Sequence, residues 1–299
     1  MKEYKGYGFF GPTTLNELLE GVSGFNGSIA FLAGGTDLII DLKKGKKNPQ
    51  LVIDLSQIPE LSGVHEENGN IHIGSATTFS QLAGHPLVLE KGLCLAQAAR
   101  KIGSEQIRNR GTLGGNIASA SPAGDCLPVL LVLEAMITLQ NPEWVRRLPL
   151  SQVLKGSGRT YLTPNELITG IDFPLLDGEY VSGFEKIGSR TAVSIARLNM
   201  AAVINYDRES NIIKEARIAV GALGETAFRL AKIEQELLGQ EINSSLLERF
   251  EEMLTEAVDK AISMRSSHPY KREAIRGLAY DIFLNLFGAN SIQGGRIHD

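Results

Sequence analysis

Ala33-Gly34-Gly35-Thr36-Asp37 lies where a short apolar run, Ile29 to Ala33, meets a segment of helical spacing, Asp37 to Lys44. An apolar run that stops at a glycine pair is typical of a buried strand that feeds a turn. A helix before this run and a strand after it, Leu51 to Leu55, complete a helix–strand–helix–strand unit. The glycine pair therefore marks a turn from a strand into a helix.

A second glycine pair lies in Gly111-Thr112-Leu113-Gly114-Gly115-Asn116, within a predicted long polar loop from Gly103 to Ala123. Paired glycines let a backbone approach a ligand closely, and exposed N–H groups beside a helix N-terminus suit a phosphate or pyrophosphate. Neither segment matches the Rossmann or the P-loop pattern. A single glycine pair after a strand is more often a plain turn, whereas two such segments leave turn and ligand site equally open.

The rest of the chain divides near Pro174–Gly178. Before this point the patterns predict strands at Ile71–Gly74, Ile137–Gln140 and Glu166–Phe173, and helices at Phe79–Ala83, Leu87–Ile102 and Leu127–Ala135. After it they predict strands at Ser182–Ile187, Ala196–Tyr206 and Ile213–Val220, then helices at Phe228–Leu238, Leu246–Ile262 and Glu273–Phe287. Strands followed by helices indicate an α+β terminal domain.

Composition restricts the functional class. The chain has 299 residues, 43% hydrophobic and 21% charged, with a net charge of −4, which argues against nucleic acid as a partner. The basic run at Lys43, Lys44, Lys46 and Lys47 is interpreted as a solvated helix end, with a docking patch as the alternative. The first residues carry no signal-peptide pattern, and no apolar run reaches the roughly 18–20 residues of a membrane span. We therefore expect a cytoplasmic protein.

Cysteine and histidine content limits the metal chemistry. Two cysteines, Cys94 and Cys126, are too few for a four-cysteine iron–sulfur cluster and are predicted to be buried free thiols. None of the five histidines lies in a glycine segment or at metal spacing from another, so no metal is predicted. An iron–sulfur cluster working with this chain would have to reside on another chain.

At this point a family resemblance becomes specific. The two glycine segments, with the second continuing to Asp125, resemble the two FAD-binding signatures of the flavoprotein subunits of xanthine dehydrogenase and carbon monoxide dehydrogenase. The similarity covers about residues 4–288 and continues through Ile107–Asn109, Glu166–Ile168 with Pro174, Phe184–Lys186 and Ser267–Arg272. The order of the two glycine segments and their spacing along the chain also match those of the family signatures.

The resemblance implies an α+β fold. Residues 1–176 would form the two-subdomain FAD-binding fold shared with vanillyl-alcohol oxidases, with subdomains at about 1–57 and 58–176. Residues 177–288 would form a small C-terminal domain of three-stranded antiparallel sheet plus helices, and 289–299 a tail. FAD would lie extended between the subdomains.

The resemblance also implies the contacts to FAD. The cofactor-binding residues carried over are Phe31, Leu32, Ala33, Gly34, Gly35, Thr36, Asp37, Leu38, Ile102, Thr112, Leu113, Gly114, Gly115, Asn116, Asp125, Ile168 and Lys186. Asp125 would meet FAD through its carboxylate, although a helix cap is its alternative role. Lys186 is alternatively a surface lysine, and Ile102 and Ile168 fit a core equally well. No side chain is predicted to be catalytic.

In such enzymes the difficult chemistry belongs to cofactors. The resemblance implies an oxidoreductase in which a molybdopterin-binding large subunit hydroxylates substrate and a 2Fe-2S small subunit passes electrons on. Non-covalent FAD on this chain would deliver them to NAD⁺ or another acceptor, with Gly188–Ser194 beside the isoalloxazine. The alternatives are a stand-alone FAD-dependent oxidase or reductase of the same fold, and an interaction module that has lost flavin.

Overall fold

The computed structural model describes residues 6–176, 178–190 and 193–292, without the side chains of Asn290 and Ile292. The predicted domain limit at Asp177, two residues of the segment Gly188–Ser194 and the tail from residue 293 onward lie outside this range.

The first sixty residues form a three-stranded parallel sheet in the order β1-β3-β2. Its elements are β1 (Gly8–Phe10), α1 (Leu15–Val22), β2 (Ile29–Leu32), α2 (Leu38–Lys43) and β3 (Leu51–Asp54), followed by a 3₁₀ turn at Pro59–Leu61. Thr14 caps α1 by accepting from the Glu17 N–H. The predicted strand-to-helix turn thus connects β2 with α2.

A five-stranded antiparallel sheet follows, in the order β4-β5-β10-β6-β7. Its strands are β4 (Val64–Glu67), β5 (Asn70–Gly74), β6 (Met136–Gln140), β7 (Val145–Pro149) and β10 (Leu167–Pro174), with a small ladder of β8 (Leu154–Gly156) and β9 (Arg159–Thr160). The helices are α3 (Phe79–Gly84), α4 (Pro86–Lys91), α5 (Leu93–Lys101), α6 (Glu105–Arg108), α7 (Leu113–Ser119), α8 (Cys126–Val132) and α9 (Leu150–Val153). Apolar residues of the sheet and of α5 and α8 share one core.

Two predictions in this region are wrong. The predicted helix Leu87–Ile102 is two helices, because Gly92 leaves the helical conformation between them. The predicted polar loop from Gly103 to Ala123 contains α6 and α7, whose N-caps are Ser104 and Thr112. Glycines inside α7 lower its intrinsic helix propensity, so the pattern did not indicate a helix.

The C-terminal part is a four-stranded antiparallel sheet in the order β11-β12-β13-β14, with helices on one face. The elements are β11 (Tyr180–Gly188), β12 (Ala196–Tyr206), β13 (Ile213–Gly221), β14 (Phe228–Arg229), α10 (Ala231–Leu237), α11 (Ser244–Ile262) and α12 (His268–Phe287), and a 3₁₀ turn at Ala289–Ile292. The α+β prediction is confirmed, but the sheet has four strands rather than three. Phe228 begins an edge strand and not the predicted helix; two residues are too short to give a strand pattern.

The other face of this sheet packs on the N-terminal part. Ala201, Val203 and Ala219 belong to the core that contains α8, and Arg217 donates to the carbonyl of Val132 at 3.3 Å. Within the described chain, no helix has the length and apolar character needed to cross a membrane. Both cysteines are buried free thiols, as predicted, and burial raises the pKa of the Cys94 thiol to about 12.

Candidate functional site

The two glycine segments come into direct contact. We call residues 33–37 the first turn and residues 111–116 the second turn. A Cβ on Gly34 would lie 1.8 Å from the carbonyl oxygen of Arg110, the residue just before the second turn. The Ser119 hydroxyl, at the end of α7, lies 3.3 Å from the carboxylate of Asp37. Only a residue without a side chain permits this approach of the two backbones at Gly34.

The two turns line one cleft of about 430 Å³, here called the first cleft. Its walls are Phe31, Ala33, Gly34, Gly35, Thr36, Asp37, Leu38, Asp41, Lys47, Phe79, Gly111, Thr112, Gly115, Asn116, Ala118, Ser119, Ser121 and Gly158. Sequence segments some eighty residues apart therefore form a single concave surface.

The backbone of the first turn is open. Gly35 has a φ of +73°, which turns the chain between β2 and α2. In the described structure, the N–H groups of Gly34, Gly35, Thr36 and Asp37 donate no hydrogen bond. Consecutive unpaired N–H groups form a concavity that attracts anions. The first turn is therefore suited to a phosphate.

In the second turn, the N–H groups of Leu113 to Asn116 already donate hydrogen bonds within the chain. Leu113 donates to the carbonyl of Thr77 at 3.1 Å, and Gly114 donates to that of Ser75 at 2.8 Å. The Gly115 N–H donates to the Thr112 hydroxyl at 3.1 Å, and the Asn116 N–H to the Thr112 carbonyl at 3.0 Å. The expectation of exposed N–H groups is thus wrong for these four residues.

Asn116 and Thr112 are the polar residues of the second turn that line the first cleft. The Asn116 side chain differs from that of Thr112 in having an unpaired atom. The Asn116 Oδ1 is buried and has no hydrogen-bond partner. Leaving a buried acceptor unpaired costs about 1–3 kcal/mol of free energy, and a donor on a bound ligand would remove that cost. FAD carries hydroxyl and N–H donors, and the residues around this cleft fit it.

Asp125 and Lys186 form a buried ion pair between the two parts of the chain. The Lys186 Nζ lies 2.6 Å from Asp125 Oδ2 and 3.2 Å from the Ser194 carbonyl oxygen. The Asn199 amide donates to Asp125 Oδ1 at 2.9 Å. Burial raises the pKa of the Asp125 carboxyl, while the Lys186 ammonium and the Asn199 amide oppose that rise. Asp125 caps no helix through its side chain, and Lys186 is not a surface lysine.

A second cleft of about 770 Å³ lies beside this pair. It is lined by Arg100, Lys101, Gly103, Ser104, Glu105, Arg108, Lys186, Ile187, Gly188, Ser189, Arg190, Val193 and Ser194. Lys101 is ion-paired with Glu185 there, and Arg108 donates to the carbonyls of Ile102 and Gly103. The described lining residues hold five cations against one carboxylate, so the second cleft is electropositive.

Not all predicted contacts line a cleft. Leu32, Leu113 and Gly114 lie behind the walls of the first cleft, and a Cβ on Gly114 would meet the Ser75 carbonyl oxygen at 2.7 Å. Ile102 and Ile168 pack with the N-terminal core and line neither cleft. Sequence reasoning missed Asp41, Lys47 and Asn199, and among these only Lys47 belonged to a noticeable pattern, the basic run.

Two family models match the chain. Residues 4–176 match the FAD binding domain in molybdopterin dehydrogenase, and residues 184–286 match the CO dehydrogenase flavoprotein C-terminal domain. The first match alone covers more than half of the chain.

Whole-length relatives agree with this. The chain is 29% identical to the nicotinate dehydrogenase FAD-subunit of Eubacterium barkeri, over 97% of this chain and 99% of that protein. It is 30% identical to the glyceraldehyde dehydrogenase medium chain of Sulfolobus acidocaldarius, over 90% and 94%. Among solved structures, a carbon monoxide dehydrogenase from Hydrogenophaga pseudoflava that lacks the Mo-pyranopterin moiety aligns with a TM-score of 0.85 and 26% identity, over 94% of this chain and 97% of that one. The chain therefore belongs to the FAD-binding medium subunits of the xanthine dehydrogenase and carbon monoxide dehydrogenase family of molybdenum hydroxylases.

Proposed function

We propose that this chain binds FAD non-covalently and relays electrons from 2Fe-2S clusters on a small partner chain to NAD⁺ or another acceptor. A molybdopterin-binding large subunit would complete the complex. The observation that carries the proposal is the contact between Gly34 and the Arg110 carbonyl, which joins both family signatures in one cleft. The fold alone would not assign this activity, because function depends on the site.

The first cleft would hold the pyrophosphate part of FAD. The free N–H groups of residues 34–37 would bind phosphate oxygens, and the Asn116 amide oxygen would accept from a donor of the cofactor. The described residues lining the two clefts include no histidine, cysteine or tyrosine that might attach a flavin covalently. The apolar contacts of Ile102 and Ile168, and the domain division at Asp177, remain proposals.

Lys186 would act on the flavin end of the cofactor. Its ammonium group lines the second cleft and is held by Asp125 and the Ser194 carbonyl. A fixed cation favours negative charge on a group bound beside it. When bound, FAD supplies the two-electron chemistry, and this chain supplies its position and electrostatic surroundings.

The second cleft would admit the acceptor. Its volume of about 770 Å³ and its excess of cations suit an anionic acceptor such as NAD⁺. Its wall includes Gly188, Ser189, Arg190, Val193 and Ser194. These residues belong to the segment that, by the family resemblance, would lie beside the isoalloxazine.

The names of the relatives support a multi-subunit assembly. They include a dehydrogenase FAD-subunit and two medium chains, the second from the carbon monoxide dehydrogenase of Hydrogenophaga pseudoflava. The two buried free thiols fit a reducing compartment, so we place the complex in the cytoplasm.

Purification of the native complex tests this function. We expect a yellow protein in which molybdenum and iron accompany this chain. Added acceptor should reoxidise the flavin of this chain after anaerobic reduction by the partner's substrate.

Replacing Lys186 with Met should cost about 3–5 kcal/mol of unfolding free energy, because Asp125 would be buried without its partner.

The opposite result is equally well defined. A yellow chain that carries neither metal nor partner, and whose flavin a small substrate reduces directly, would indicate the stand-alone oxidase or reductase instead. A colourless complex that is fully active would overturn FAD binding.

A further inference from the structure

The first cleft has an unusual charge distribution for a dinucleotide site. Two carboxylates, Asp37 and Asp41, line it, and neither forms an ion pair in the described structure. The pyrophosphate of FAD adds two negative charges. Like charges repel, so a cation that lines the cleft would favour the binding of a pyrophosphate here.

Lys47 is the one cation among the described lining residues. It has no ion pair or hydrogen bond with any residue that the structure describes. We propose that Lys47 binds a phosphate of FAD, together with the free N–H groups of the first turn. This inference rests on the proposed binding of FAD and adds a contact that neither glycine signature contains.

The end of α2 explains why Lys47 reaches the cleft. The Gly45 N–H donates to the Leu42 carbonyl at 3.0 Å, and the Lys46 N–H donates to the Asp41 carbonyl at 2.9 Å. Gly45 has a φ of +68°, so the chain reverses after the helix, as at a glycine C-cap. Lys47 follows this reversal, two residues after Gly45, and lines the first cleft together with the first turn.

The other lysines of the basic run provide an internal comparison. Lys43, Lys44 and Lys46 are exposed and do not line the first cleft. A solvated helix end describes these three; Lys47 is exposed as well, but it also lines the first cleft. The run therefore contains one lysine that lines the cleft, Lys47, and three lysines of the same charge that do not.

Paired substitutions test the inference in the full chain, purified with its partners. FAD release on dilution is followed by the fluorescence of free flavin, at several salt concentrations, for Lys47→Gln and Lys46→Gln. We expect Lys47→Gln to weaken FAD binding about tenfold, because one charged hydrogen bond is lost. We also expect its affinity to depend less on salt, whereas Lys46→Gln should behave like the wild type.

Two further measurements remove ambiguity. Lys47→Arg should retain tight binding, and the flavin-free Lys47→Gln protein should melt at the wild-type temperature because Lys47 is exposed. Equal effects of Lys46→Gln and Lys47→Gln, or wild-type affinity in Lys47→Gln, would overturn the role of Lys47 while FAD binding itself stands. Failure of the wild-type protein to bind FAD would instead refute the proposed function.

Discussion

The two turns each contain a glycine pair but have opposite structural roles. In the first turn, four consecutive N–H groups are free to meet a ligand. In the second turn, the N–H groups of Leu113 to Asn116 are all hydrogen-bonded within the chain, and the Asn116 side chain has an unpaired Oδ1. Similar glycine patterns therefore do not imply similar binding chemistry.

The difference has a local cause. The first turn leaves a parallel strand and reaches α2 through Gly35 in the left-handed region, with no cap that consumes its donors. The second turn packs beneath Ser75 and Thr77, and Thr112 caps α7. We infer that the backbone of the first turn binds phosphate and that the second turn holds the first turn in position. The two turns meet at the contact between Gly34 and the Arg110 carbonyl.

Gly34→Ala should have the largest effect, because it separates the two turns. Its Cβ would overlap a backbone carbonyl at 1.8 Å, and backbone cannot yield as a flexible side chain does. We expect a loss of about 3 kcal/mol or more in unfolding free energy, together with loss of FAD. Thermal and denaturant unfolding measure the first effect, and flavin absorbance measures the second.

Gly84→Ala is the matched control for this substitution. A Cβ there meets nothing within 4 Å, so its stability should equal or slightly exceed that of the wild type. Wild-type stability in Gly34→Ala would mean that the turns do not touch.

Gly115→Asp should have an intermediate effect that is confined to binding. The added Cβ meets only the Thr112 hydroxyl, at 2.9 Å, and an acidic residue is favourable in the first turn of a helix. Its charge would enter a cleft that must hold phosphates. We expect FAD affinity to fall about a hundredfold by repulsion, with unfolding free energy changed by about 1 kcal/mol. Flavin titration and thermal melting separate the two quantities.

Gly115→Asn adds nearly the same volume without the charge and should lose much less affinity. If Gly115→Asp retained its FAD, no phosphate would lie near the second turn. The whole pyrophosphate would then lie at the first turn.

Asn116→Ala should have the smallest effect, with opposite directions for stability and for FAD affinity. Removing a buried acceptor that has no partner should leave the flavin-free protein as stable as the wild type, or slightly more stable. FAD binding should weaken by about tenfold because one hydrogen bond is lost. Melting temperatures with and without FAD provide the measurement.

Asn205→Ala offers the corresponding control, since Asn205 also has an unpaired Oδ1 but lines neither cleft. An equal loss of FAD affinity in both variants would show that Asn116 acts through general packing only.

Much of the fold follows from local patterns. The sequence predicts strand Ala196–Tyr206 with its observed bounds, because a mostly apolar segment ends there at a polar hairpin turn. It does not predict the edge strand Phe228–Arg229, because two residues hold no period. Capping by Thr112 explains why a glycine-rich stretch forms α7 where a loop was expected.

The site was only partly predictable for a different reason. The glycine segments could be identified as a possible phosphate site, since their residue types act through the backbone. The distribution of free N–H groups depends on Ser75 and Thr77, which no motif connects to the second turn. Likewise, the partners of Asp125 lie 61 and 74 residues away and meet it only through tertiary packing.

The Asp125–Lys186 pair also has a mechanical consequence. It joins α8 to the β11 and β12 strands at a place almost closed to water, with side-chain exposures of 8% and 10%. Sliding the C-terminal sheet over α8 would separate these two buried charges, which is strongly unfavourable. The pair therefore opposes sliding between α8 and the C-terminal sheet and fixes the spacing between these two parts of the molecule.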